Sequence, residues 1–123
     1  TTFVGLVLYW ETTDFLYVEH FCILPEMRGR KYGQTVLEML ANSGKPIILE
    51  IDPPIDEVSR RRKCFYERCG FAENPYPHMH PPYHRGNEGH ALVVMTYPKA
   101  IAPQAYETFN MYLREHIMNR AFS

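Results

Sequence analysis

The sequence predicts a mixed α/β fold with elements in the order β-β-α-β-α-β-β-α. Three observations carry this. Residues 3–10, 46–51 and 90–97 are short apolar runs bounded by turn residues, the mark of strands. Tyr32, Val36, Leu37 and Leu40, and later Tyr106, Phe109, Leu113 and Ile117, recur at three- and four-residue steps, the helical period. A strand, a crossover helix and a further strand imply a parallel pair within the sheet.

The elements follow in order. Residues 3–10 read as a buried strand and Thr12-Thr13-Asp14 as a turn. Residues 15–24 form a second strand, antiparallel to the first and ended by Pro25, which cannot donate to a ladder. A loop over 26–31 leads into the helix begun by Tyr32, which stops near Asn42-Ser43-Gly44. Residues 46–51 are a short buried strand, and Asp52-Pro53-Pro54 breaks the chain. Asp56 is a fitting N-cap for a helix that runs to about Cys69, with Gly70 at C′. Phe71 opens another strand. Residues 74–84 hold four prolines and are expected to be irregular or an edge. Residues 90–97 are a strand, and Pro103 starts the last helix, expected to pack on the core, with a homodimer face as the second reading.

At 123 residues the chain is one domain's worth, and it buries enough surface to need no disulfide or metal staple. With 46% apolar and 22% charged residues it is neither disordered, collagenous nor a coiled coil. No apolar run approaches the length of a membrane span, and no secretory signal is visible. The first residue is Thr, and an apolar run begins at Phe3, so a segment preceding the fold is expected. Cys22, Cys64 and Cys69 are odd in number and lack a C-x-x-C spacing. Cys64 and Cys69 lie about 140° apart on a helix, so reduced thiols and a cytoplasmic setting are expected.

The net charge is −1, against a general polyanion binder, yet seven of the 13 Lys and Arg residues fall in two clusters, Arg28, Arg30, Lys31 and Arg60 to Lys63. Such concentration suits a localised anion such as a phosphate; a solvated face is the plain alternative. A nucleic-acid role for Arg60 to Lys63 would need strongly salt-dependent affinity, and no nucleic-acid motif accompanies it.

The first cluster lies at a strand-to-helix junction, Leu24-Pro25-Glu26-Met27-Arg28-Gly29-Arg30-Lys31-Tyr32-Gly33. Gly29 and Gly33 let backbone approach a ligand, and a helix start there points free N–H groups at it. That makes a pyrophosphate cradle, without the G-K-[ST] of a P-loop or the G-x-G-x-x-G of a dinucleotide site. The junction resembles the acyl-CoA loop of the GNAT superfamily of N-acetyltransferases, Arg/Gln-x-x-Gly-x-Gly/Ala after a strand ending in Pro. Arg28, Tyr32 and Gly33 fit, and Lys31 stands where the pattern has its middle glycine. Phe65-Tyr66-Glu67-Arg68-Cys69-Gly70-Phe71 resembles the family's second signature, a helix ending "FYEK-GF" before a strand, and the two blocks stand in the family's order.

The resemblance spans about residues 3–97 and implies a GNAT-like fold for 1–123 as a single domain. It implies acetyl transfer from acetyl-CoA, as co-substrate, to a small-molecule or peptide amine, with no metal, nucleic acid or membrane partner. A non-catalytic acyl-CoA-binding module is the alternative. It makes Tyr66 the general acid for the leaving thiolate; without it, Tyr66 is a core aromatic. Phe21, Cys22 and Ile23 match the strand that pairs with pantetheine. Arg28, Gly29, Arg30, Lys31, Tyr32, Gly33 and Gln34 match the pyrophosphate loop, Ser59 a cofactor contact, and Arg60 to Lys63 a grip on the 3′-phosphate.

The base is open between two carboxylates. Glu50 lies inside the apolar strand Ile47-Ile48-Leu49-Glu50-Ile51, where a charge is costly without a partner or a task. Glu19 is the rival, expected to face away from His20. Cys22 is expected to be a small core residue rather than a nucleophile. His78, His80, His84 and His90 surround Pro81-Pro82-Tyr83; metal binding, an acceptor-site loop and edge packing are the readings, with no Cys to favour zinc.

Overall fold

A computed structural model describes residues 5–82 and 90–121. His84 and the side chain of Ile117 lie outside the described residues. The elements are β1 (Gly5–Glu11), β2 (Leu16–Ile23), a 3-10 turn over Pro25–Met27, α1 (Tyr32–Ala41), β3 (Ile47–Ile51), α2 (Glu57–Arg68), β4 (Ala72–Glu73), β5 (His78–His80), β6 (His90–Tyr97) and α3 (Pro103–Ala121). The strand order is β1-β2-β3-β6-β4, and β5 also pairs with β6. Among the described residues only β2 and β3 run parallel; the other pairs are antiparallel. This is the α+β mixed sheet that the sequence predicts, with one further short strand.

That extra strand comes from the prolines. Phe71 is a buried core ring and the strand after it is only Ala72–Glu73, because Pro75 and Pro77 remove ladder donors. Asn74 bridges the break. Its buried amide donates to the Val94 carbonyl (3.1 Å) and Thr96 Oγ1 (3.0 Å), and its Oδ1 accepts from Ile101 N–H (2.8 Å). One side chain thereby ties the end of β4 and the approach to α3 to β6.

Pleat alternation sorts the core residues to two faces. Leu16, Val18, Ile47, Leu49, Ile51 and Met95 pack with Leu37 of α1 and Tyr66 of α2. Phe15, Tyr17, Ile48 and Val94 pack with Phe109 and Leu113 of α3. At its ends α2 has the predicted chemistry: the Asp56 carboxylate accepts from Ser59 N–H (2.7 Å), which lowers its pKa, and Gly70 takes φ 95°. Among the described residues, no helix is long and apolar enough to cross a membrane.

β2 carries a bulge. Leu8 pairs with His20 and Tyr9 with Val18, leaving Glu19 as the extra residue. Phe21 therefore joins Val18 on the α1/α2 face, and the alternation behind the expectation that Glu19 and His20 face opposite ways does not run through this stretch.

Candidate active site

β2 and β3 pair over three residues only, Leu16↔Ile47, Tyr17↔Ile48 and Val18↔Leu49, and the ladder then ends although both strands continue. Beyond that point the free end of β2 borders a cleft of about 680 Å³. Phe21, Cys22 and Ile23 of β2 form one wall, and Phe65, Tyr66 and Cys69 of α2 another. Arg28, Gly29, Lys31, Tyr32, Gly33 and Gln34 close the end where α1 begins. The first N–H groups of α1 lack carbonyl partners one turn earlier, so this end favours an anion. Arg28, Lys31, Arg61, Arg62 and Arg68 add charge around it.

Two glycines show why the loop has this composition. Gly29 takes φ 83°, in the left-handed region. A Cβ on Gly33 would stand 3.1 Å from the Phe65 ring and 3.3 Å from the Phe21 ring, pushing α1 off the stacked pair (6.4 Å, 22°) that floors the cleft. Lys31 also has a positive φ, 63°, as the N-cap of α1. The site thus uses the conformation of a glycine while holding a lysine, at a cost of roughly 1 kcal/mol. Lys31→Gly is expected to stabilise the fold by up to about 1 kcal/mol, the extra freedom of the unfolded chain offsetting part of the gain; a higher urea midpoint would show it.

Most of the residues expected at the cofactor site meet in this cleft. Four do not. Arg30 is exposed and off the walls, Arg60 and Lys63 are likewise off them, and Ser59 is buried at the start of α2, where its N–H and hydroxyl both serve the Asp56 carboxylate. Cys22 is exposed on the cleft wall rather than in the core, since the end of β2 has no β3 beside it. Within the second basic cluster, Arg61 pairs with Glu57 (2.6 Å), Arg62 with Asp52 (3.7 Å) and Lys63 with Glu73 (2.6 Å).

Tyr66 is both core and site. Its ring touches Phe21, Phe65 and Phe71, yet it also lines the cleft. Burial pushes its pKa up to about 12, so the phenol stays a proton donor at neutral pH.

Glu50 sits one residue past the last β2–β3 pair. Its neighbours Leu49 and Ile51 face α1 and α2, so its carboxylate faces α3. Tyr17 Oη donates to Oε1 (2.5 Å), and His78 Nε2 lies 2.6 Å from Oε2. His80 Nε2 is 3.8 Å from Oε1, and His80 Nδ1 bonds the Pro81 carbonyl (2.7 Å). Beyond His78, its Nδ1 lies 2.8 Å from Tyr106 Oη. Glu19 instead accepts from Trp10 Nε1 (2.8 Å).

Tyr17 drew no notice in the sequence, and Tyr106 read as core packing. The usable signal was His78-Met79-His80, whose period-two spacing puts both imidazoles on one face of a strand. His90 pairs with His80 across the ladder and is exposed. Among the described residues, no group of three or more His, Cys, Asp or Glu could hold a metal.

Residues 2–73 match the family model for the acetyltransferase (GNAT) domain. No curated protein matches the chain. Among solved structures, a Bacteroides thetaiotaomicron protein assigned to the GNAT acetyltransferases superposes with a TM-score of 0.82 at 33% identity, over 96% of this chain and 66% of that one. A Bacillus subtilis acetyltransferase in complex with CoA gives 0.56 at 13% identity, over 77% and 68%. Arabidopsis thaliana Naa50, bound to the bisubstrate analogue CoA-Ac-MVNAL, gives 0.53 at 18%, over 76% and 64%. These last two speak to the fold alone. The chain spans 64–68% of the length of these three proteins.

Proposed function

Because this chain belongs to the GNAT acetyltransferase family, we propose that residues 1–123 form one domain that transfers an acetyl group from acetyl-CoA to a primary amine. One observation carries this: β2 and β3 part over a cleft that has the N-terminus of α1 at one end and Tyr66 on its wall, while Glu50 lies on the opposite sheet face at the point of parting.

In this reading the pyrophosphate lies against the N–H groups of residues 32–34 with Arg28 and Lys31 beside them. Pantetheine runs along the edge of β2 at Phe21 to Ile23, where a backbone N–H steadies the oxyanion. The amine attacks the thioester carbonyl carbon, the new C–N bond forms and the C–S bond breaks. The departing sulfur takes its proton from Tyr66. An alkyl ammonium has a pKa of about 10.4, so freeing the amine at pH 7 costs roughly 4.6 kcal/mol. A basic centre at Glu50 offsets that cost. Glu50 is preferred to Glu19 because an imidazole and a phenol connect it to the surface, whereas Glu19 is held by the indole of Trp10.

Acetyl-CoA at a hundred times its Kd is expected to stabilise the chain by about 2.7 kcal/mol, a midpoint rise of several degrees. Dephospho-CoA giving a smaller rise than CoA would assign an arginine cluster to the 3′-phosphate. Release of thiol with an amine present supports transfer; stabilisation with no thiol release from any amine would leave a binding module only.

A further inference from the structure

We propose that the acceptor's proton is collected at the Tyr106 hydroxyl and passed to His78, with Glu50 holding the charge behind it. The proposal rests on the transferase reading and says which group of the site the amine meets.

The directions of the hydrogen bonds follow from what each group can do. The Glu50 carboxylate only accepts, so Tyr17 Oη–H donates to Oε1 and His78 Nε2–H donates to Oε2. With the ring proton on Nε2 hydrogen-bonded to Glu50, Nδ1 serves as an acceptor, and Tyr106 Oη–H is 2.8 Å away. The other acceptor near that hydroxyl, the Pro77 carbonyl, is at 3.5 Å, the weaker partner. The result is a carboxylate, an imidazole and a hydroxyl in line, the arrangement by which a buried carboxylate orients a histidine that then takes a proton from a hydroxyl.

Exposure decides which end meets substrate. The side chains of His78 and Glu50 are 0% and 6% exposed, and Tyr17 is 1% exposed. An amine reaching Glu50 directly would have to displace Tyr17 or His78 from its oxygens. Tyr106 is only half-buried. Its ring stacks on Tyr76 (4.7 Å, 19°), whose hydroxyl donates to the Ile101 carbonyl (2.6 Å), so it is held in place. The location fits as well. His78 pairs with Leu92, next to the Val93↔Ile51 pair at the end of β3, which is the end where β2 and β3 part.

The step balances. The attacking nitrogen gives its proton to Tyr106 Oη as the Tyr106 proton moves to His78 Nδ1. This leaves a neutral phenol and an imidazolium beside the Glu50 carboxylate. After product leaves, the proton returns through Tyr106 to water, and Tyr66 takes back from water the proton it gave the sulfur. Burial, Glu107 and Glu50 raise the Tyr106 pKa against the opposing effect of Arg114, so the phenol conducts the proton without standing as an anion. Tyr106 is thus the catalytic residue here, while His78 and Glu50 position and charge it; Tyr17 and His80 complete the surroundings of the carboxylate.

The test uses the full chain with acetyl-CoA, following thiol release with spermidine, histamine and a short peptide with a free amino terminus. Tyr106→Phe is expected to lower kcat ~10²-fold, with the KM and the thermal stabilisation for acetyl-CoA unchanged. The deficit should shrink as pH is raised toward the pKa of the amine, since more of the amine then arrives already deprotonated. His78→Asn should show the same pH-dependent deficit. Wild-type kcat in Tyr106→Phe overturns the relay. So does a deficit that is flat with pH and accompanied by weaker acetyl-CoA stabilisation, which marks a structural role. Wild-type chain that is stabilised by acetyl-CoA yet releases no thiol with any acceptor overturns the transferase reading itself, and that control separates the two failures.

Discussion

Glu50→Gln is expected to lower kcat by ~10³-fold, in the middle of the range for removing a general base, while acetyl-CoA still stabilises the protein. The amide keeps a carbonyl oxygen for the Tyr17 hydroxyl, but its NH₂ then confronts His78 Nε2–H, two donors face to face. Relief comes from moving the imidazole proton to Nδ1, which ends acceptance from Tyr106. The carboxylate charge that would pair with a protonated His78 is lost with it. Stability should fall by about 1–3 kcal/mol for the impaired buried hydrogen bond. Glu50→Ala should cost more, because Tyr17 Oη and His78 Nε2 both lose their acceptor. Thiol-release kinetics beside urea unfolding separate the two losses. Wild-type turnover in Glu50→Gln would move the base to Glu19 or to solvent.

Tyr66→Phe is expected to lower kcat ~10- to 10²-fold, the low end for a general acid. A thiol of pKa about 8–9 leaves fairly well unaided. The ring contacts with Phe21, Phe65 and Phe71 survive the change, so binding of acetyl-CoA should hold. The same variant has a stability signature. Folding raises the Tyr66 pKa from its usual value near 10 to about 12. Between those values the unfolded chain gives up the proton and the folded chain keeps it. Stability therefore falls with rising pH there, by up to about 1.4 kcal/mol per pH unit. Below pH about 10 the group contributes no slope. Urea midpoints at pH 9 and pH 11 should converge for Tyr66→Phe relative to wild type; equal slopes in both proteins would show that the phenol is not desolvated.

The sequence made the cleft legible because its parts are local. Gly29, Gly33 and the helix that follows build the anion end within ten residues of chain, and Phe65 to Phe71 bring Tyr66 on a single helix. Asp56 and Gly70 bracket that helix by chemistry read from neighbours alone. Ser59 is local in the same way: three residues after an N-cap, its N–H has a near partner in the Asp56 carboxylate.

Lys31 marks the boundary between the two kinds of information. Its identity shows a lysine where the pattern has a glycine, and only the backbone path between the 3-10 turn and α1 shows that the position takes a positive φ all the same. Glu50 is similar. A carboxylate in an apolar strand announces that it has a partner, because an isolated buried charge is too costly. Which partner cannot be read from the strand.

The order of elements apart from β5, helix ends, the glycine-dependent loop and the family were thus determined by the sequence alone, since each rests on residues a few positions apart. The tertiary structure decided the bulge at Glu19, the three-pair ladder that lets β2 and β3 part, and the meeting of Tyr17, Glu50, His78 and Tyr106. Those four residues come from four different elements, as far as 89 positions apart. Their contact depends on strand order and on which face α3 covers, and no local pattern encodes either.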